Sequence, residues 1–256
     1  MPYEPWQWIA GTVAAILIGI SKTGLPGFGI LVVPLLAYTY GPTASVGIML
    51  PMLIFADIFA VTWYRRHAQW WTLVSLLPWV VFGMAVGAVS LWAMGQTRGN
   101  RDILGVVIGV LVLVMLILHL LRGKLGEQFT PTSTIGIAAT GIGAGFATTV
   151  SNAAGPVMTV YMAAQRVTKE QFVGTLAWYF FVLNLVKVPI FAIITHLNPS
   201  RPIFTATSLK LDMMLCPMIL VGVFAGKWVL KRIPQNAFDS LVVALAAVAA
   251  VKLIVG

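Results

Sequence analysis

The chain has 256 residues, of which 59% are apolar and only 9% charged, with a formal net charge of +9. A soluble domain carries about 25% charged residues, so this chain cannot cover a water-facing surface of its size, and lipid must face much of it. The basic residues sit mostly in short breaks between apolar runs and form no basic, aromatic-lined stripe. That excludes a nucleic-acid partner and marks them as topology signals.

The N-terminal stretch MPYEPWQW lacks the basic region of a secretory signal, so the first apolar run is expected to stay in the mature protein. That run goes from Trp6 to Ile20, meets SKTGLPGFG (Ser21 to Gly29) and resumes from Ile30 to Tyr40. Uninterrupted runs follow at 44–63, 71–94 and 102–121. A second broken run goes from Ile135 to Phe146, meets ATTVSNAAGP (Ala147 to Pro156) and resumes to Ala164. Further uninterrupted runs lie at 171–195, 208–230 and 237–255. A helix needs about 20 residues to cross the hydrocarbon core, and all six uninterrupted runs qualify. The fold class is an all-α polytopic membrane bundle, with about ten membrane helices when short ones are counted.

The two broken runs occupy equivalent places in an internal repeat. At an offset of 126, Gly19 matches Gly145, Thr23 matches Thr149, Gly29 matches Gly155, and Leu50 matches Leu176. At an offset of 139, Pro78, Gly83, Gly87 and Leu91 match Pro217, Gly222, Gly226 and Leu230. The halves are expected at 1–125 and 135–256, joined by a cytoplasmic linker at 126–134, within one transmembrane domain.

Charge bears on their orientation. If each broken run crosses an even number of times, as a hairpin or as two short helices, the halves are inverted. Arg65, Arg66, Arg122, Lys124, Arg166, Lys169, Lys231 and Arg232 then share one side, against Arg98, Arg101 and Arg201 on the other. If each is one broken crossing, the same residues divide almost evenly. The positive-inside rule favours the first arrangement, with the basic side cytoplasmic and both termini outside.

Non-helical backbone at membrane depth survives only where protein buries it or where it lines a polar cavity. Paired breaks in matched halves point to a transporter's binding site. The first break supplies Ser21, Lys22, Thr23, Gly24, Gly27 and Gly29. The second supplies Thr148, Thr149, Ser151, Asn152, Gly155 and Pro156. Helix N-termini beside the breaks offer partial positive charge and free N–H donors, and both favour an anion. Lys22 adds a cation, which inside a membrane is expensive and usually functional; the alternative is a lysine snorkelling to the interface.

Asp57 and Lys187 also lie well inside apolar runs. Asn184 and Lys187, three residues apart, share a helix face that could complete an anion site. The alternatives are an ion pair of Lys187 with Asp57, or a coupling role for Asp57 as a proton relay. Asp212, Lys227 and Lys252, nearer run ends, are expected to snorkel. Trp178 and Tyr179 sit deep and are expected to pack, with a place in a cavity wall as the alternative. The glycine pairs Gly83/Gly87, Gly105/Gly109, Gly141/Gly145 and Gly222/Gly226 are expected to pack helices closely and would permit a homodimer. Cys216 stands alone, and His67, His119 and His196 lack metal-ligand spacing. No metal, cofactor or catalytic residue is expected.

GISKTGLPGFGILVVPLLA (Gly19 to Ala37) resembles the first-repeat motif of the TauE/SafE family of sulfite and organosulfonate exporters. SNAAGPVMTVYMAAQ (Ser151 to Gln165) resembles its second-repeat motif, and FVGTLAWYFFVLNLVKVP (Phe172 to Pro189) the helix that follows. The resemblance implies a transporter of small sulfur-containing or carboxylate anions in a prokaryotic plasma membrane, with its site between two similar halves. It adds Pro34, Tyr161 and Thr175 to the motif positions. Many members have a longer glycine run where this chain has lysine and proline, which implies a subgroup with a different anion. The expected function is a secondary exporter of small anions by alternating access. A passive anion channel and a membrane-embedded enzyme are the alternatives, the last lacking any convergent nucleophile and base.

Overall fold

In hydrocarbon the backbone N–H and C=O groups have no partner but each other, so each apolar run closes into a helix. The computed structural model describes residues 3–23, 29–96, 102–128, 134–165, 167–229 and 235–255, and among them there is no strand. The helices are α1 (Pro5–Thr23), α2 (Gly29–Tyr40), α3 (Pro42–Tyr64), α4 (Trp70–Gln96), α5 (Ile103–Gln128), α6 (Thr134–Ser151), α7 (Gly155–Ala164), α8 (Lys169–Leu197), α9 (Ala206–Val229) and α10 (Gln235–Val255). A 3-10 turn, Arg65–His67, links α3 to α4. Over their described residues, all six uninterrupted runs lie in helices, with Asp102 just ahead of α5. Among the described residues α3, α4, α5, α6, α8 and α9 are long and apolar enough to cross a membrane. Thr134–Ser151 thus qualifies although the second break ends it.

Local chemistry sets the helix ends. Proline opens α3 and α7, where its missing N–H costs nothing. A capping box opens α8: the Thr168 hydroxyl accepts from Gln171 N at 3.3 Å, and Gln171 Oε1 accepts from Thr168 N at 3.0 Å.

The two broken elements flank different partners. α1 lies along α9, and α6 lies along α4. Glycines set how close they come, and matched residues make matched contacts. Gly19 abuts the Ile219 carbonyl, and Gly145 abuts the Val80 carbonyl. Gly222 abuts the Ile16 carbonyl, and Gly83 the Ile142 carbonyl. Gly226 meets Thr23, and Gly87 meets Thr149. Each contact maps onto its counterpart through the offsets read from the sequence. A helix pair in lipid gains nothing from hiding apolar surface, so backbone-to-backbone packing at small residues holds it.

The first broken element is a hairpin. Gln7 Nε2 donates to Thr39 O at 2.9 Å, and the Tyr40 hydroxyl donates to Gln7 O at 2.6 Å. The end of α2 therefore returns to the start of α1. Lys252, near the end of α10, donates to the Tyr38 hydroxyl at 2.7 Å, so both chain ends lie at one end of the bundle. The snorkelling expected of Asp212 is overturned. It is buried, and neither carboxylate oxygen has a hydrogen-bond partner among the described residues. α9 lies along α1, and that packing encloses the first turns of α9, where Asp212 sits. The Lys227 side chain lies outside the described residues.

Candidate substrate-binding site

A cavity of about 100 Å³ lies where the two breaks meet α3 and α8. The first broken element gives Ser21 and Lys22 at the end of α1 and Gly29 and Ile30 at the start of α2; the second gives Thr148 at the end of α6, Asn152 and Ala153, and Gly155, Pro156 and Thr159 of α7. Asp57 on α3 and Asn184 on α8 add polar groups. Phe172, Leu176 and Phe180 form an apolar wall along α8.

Two buried clusters organise these groups. In the first, Lys22 Nζ pairs with Asp57 Oδ1 at 2.7 Å, with 13% of the lysine side chain exposed and none of the aspartate's. Asn184 Nδ2 donates to Asp57 Oδ2 at 2.7 Å. The Lys22 ammonium also sits 4.5 Å from the centre of the Phe180 ring, a favourable cation–π distance. Lys22 thus turns inward and does not snorkel.

In the second cluster Lys187, fully buried, reaches the second break. Its Nζ donates to Asn152 Oδ1 at 2.6 Å, Thr148 O at 3.1 Å and Thr148 Oγ1 at 3.2 Å. Asn152 holds a positive φ of 57°, a conformation Asn tolerates better than most residues. Its N–H returns to Thr148 O at 3.1 Å, and Ala153 N returns to Ala147 O at 3.3 Å, which closes the end of α6. Its Nδ2 donates to Val46 O on α3 at 3.2 Å. One asparagine therefore ends α6 and ties the break to α3 and α8. α7 then opens on Ala154, which provides no side-chain cap for the first N–H groups of the helix.

The cavity gathers Ser21, Lys22, Gly29, Thr148, Asn152, Gly155, Pro156, Asn184 and Asp57 from the sequence-predicted set. It does not gather Thr23, Thr149 or Ser151. Their hydroxyls donate to carbonyls one helical turn back, Gly19 O, Gly145 O and Ala147 O, at 2.9–3.0 Å. Thr23 also bonds Val223 O at 2.9 Å, which ties α1 to α9. Lys187 stays behind the lining and holds the break, with no ion pair to Asp57. Thr175 accepts from Gln69 N at 2.9 Å; Pro34 and Tyr161 are buried in α2 and α7. Gly24 and Gly27 lie outside the described residues.

Sequence reasoning missed Phe180 and the wall around it. The signal was available: Phe180 and Leu176 lie one and two turns before Asn184 on the face already assigned to Asn184 and Lys187. Trp178 and Tyr179 pack, Trp178 against Trp70 and Phe181, and Tyr179 against Phe180.

Long apolar helices around a cavity with one charged and polar side, built from two broken elements, define a multi-pass membrane transport protein. The family model described as sulfite exporter TauE/SafE matches residues 11–253, and the chain belongs to that family of membrane transporters. No curated protein and no solved structure gives a match.

Proposed function

We propose that this chain is a secondary transporter that exports small anions, of the sulfite, sulfonate or carboxylate type, by alternating access. One observation carries the reading: Lys22 and the N-terminal residues of α2 and α7 line a single cavity. A lysine and two helix N-termini attract negative charge, and the apolar wall on α8 accommodates an organic tail.

The halves act as inverted repeats in this reading. The hairpin of α1 and α2, and the exchanged pairs α1 with α9 and α4 with α6, support it. The expected setting is a prokaryotic plasma membrane, with the Arg65 and Arg66 side cytoplasmic and both termini outside.

Flux into proteoliposomes tests the assignment. Lys22→Ala is expected to abolish uptake of sulfite, thiosulfate and methanesulfonate at normal expression. Undiminished flux in that variant would remove Lys22 from the site. Saturable counterflow is expected of the wild type, and its absence alongside net flux would mean a channel.

A further inference from the structure

The candidate cavity carries its own anion. The cation lining it, Lys22, is already engaged by the Asp57 carboxylate at 2.7 Å, and Asp57 is completely buried. An anion that enters to reach Lys22 therefore finds its position filled by a group of like charge. Two anions sharing one buried ammonium would leave the site net negative, so the anion is best held by taking the lysine from the aspartate.

The fate of Asp57 then matters. Without Lys22 its remaining neighbour within hydrogen-bond distance is the Asn184 amide. Among the described side chains the charged groups bearing on Asp57 are Lys22 from α1 and Lys187 from α8. The other helices packed against α3, namely α2, α5 and α9, bring no described charged group to it. The adjoining Arg65, Arg66 and His67 are exposed at the end of the bundle. Lys187 is held by Thr148 and Asn152. A carboxylate left bare in the membrane interior, beside an incoming anion, is far costlier than a neutral acid. The Asn184 amide carries both donors and an acceptor, so it can serve either form.

We propose that Asp57 is the proton-coupling residue of the carrier: the substrate anion displaces Asp57 from Lys22, and Asp57 takes up one proton in the same step. The inference rests on the transporter reading above and adds its coupling ion. One O–H bond forms, between a bulk proton and an Asp57 carboxylate oxygen, and the lysine keeps its charge. Before the step the site holds Lys22 as cation and Asp57 as anion. Afterwards it holds Lys22, the bound monovalent anion and a neutral Asp57. Empty and loaded sites carry equal charge, so neither crossing works against the membrane potential. One proton travels with each anion, in whichever direction the summed gradients favour. Run outward, the carrier exports an acid equivalent with each anion.

Methanesulfonate, whose charge does not titrate, is the probe. In wild-type proteoliposomes an alkaline-inside gradient should drive its accumulation, approaching about tenfold for each unit of pH difference. A potassium–valinomycin voltage alone should not. Uptake should alkalinise a lightly buffered external medium by one proton per anion. In detergent, methanesulfonate binding to the wild type should tighten as pH falls, and in Asp57→Asn the pH dependence should vanish. Wild-type counterflow with accumulation that follows voltage and ignores the pH gradient overturns the coupling and leaves the carrier. Unchanged pH dependence in Asp57→Asn also overturns it. Absence of wild-type methanesulfonate counterflow removes the carrier reading itself. The proton stoichiometry of the wild type decides even if the variant does not fold.

Discussion

Asn152 Oδ1 accepts a hydrogen bond from Lys187 Nζ at 2.6 Å, and through that bond α8 holds the break between α6 and α7 in place. The ammonium has no carboxylate partner there; its three contacts are to an amide oxygen, a hydroxyl and a backbone carbonyl. Lys187 thus acts as a strut, where Lys22 lines the cavity and pairs with Asp57.

The strut and the backbone conformation can be separated at Asn152. Asn152→Ala should lose both the side-chain bonds and the tolerance of positive φ, the second costing about 1–2 kcal/mol. Asn152→Gly should recover the backbone part but not the bonds to Lys187 and Val46. Thermal unfolding in detergent should therefore rank wild type, then glycine, then alanine, while both variants lose transport. Equal stability of the glycine and alanine variants would mean that the positive φ is not what Asn152 provides.

The matched glycine contacts predict matched damage. A Cβ at Gly19 would overlap the Ile219 carbonyl, and one at Gly145 the Val80 carbonyl. Neither carbonyl can move without its helix. Gly19→Val and Gly145→Val should each destabilise the protein by about 1–3 kcal/mol, the usual range for overpacking. Gly143, exposed with nothing within 4 Å of an added Cβ, is the control. Gly143→Ala should be neutral or slightly stabilising, as expected for helix propensity. Size-exclusion profiles and unfolding midpoints check all three.

Topology can be read with cysteine labels. Cys216 is the single cysteine, so Cys216→Ser gives a blank background. Ser200 lies beside Asn198, whose Nδ2 donates to Trp92 O near the end of α4, whereas Arg66 precedes the start of α4. α4 has 27 residues, about 40 Å at 1.5 Å per residue, enough to separate the two positions by a bilayer. A membrane-impermeant maleimide applied to intact cells should label Ser200→Cys and spare Arg66→Cys. The reverse pattern would invert the assignment of the basic side.

The membrane class, the helices and the approximate place of both breaks were legible in the sequence because each depends on local composition, although residues 21–23 and 147–151, expected within the breaks, are the last turns of α1 and α6. A run of about 20 apolar residues is a helix wherever it sits in a bilayer, and glycine and proline interrupt it for local steric reasons. The repeat offsets were legible too, and Gly19, Gly83, Gly145 and Gly222 show what they encode: one contact written twice.

The site was legible only in outline. Lys22, Asn152 and Asn184 stood out because polar groups are rare in such runs. Their partners did not, since Lys22 and Asp57 are 35 positions apart and on different helices. The expected place of Lys187 beside a substrate followed from its helix face alone, and a face does not say which neighbour fills it. The expectation for Thr23, Thr149 and Ser151 failed to reach the cavity for a simpler reason. A hydroxyl in a helix can bond the carbonyl a turn behind it, and these three do so.

Composition and periodicity by themselves determined that this chain lives in lipid, that its helices break twice, and that the breaks are equivalent. These follow from the free energy of each segment against water and hydrocarbon. Only the tertiary structure decided that α1 and α2 form a hairpin, that α1 packs along α9 and α4 along α6, and that Lys22 rests on Asp57 while Lys187 props the second break. Those outcomes depend on which buried charge finds which partner, and in a low-dielectric interior a few ångströms decide that choice.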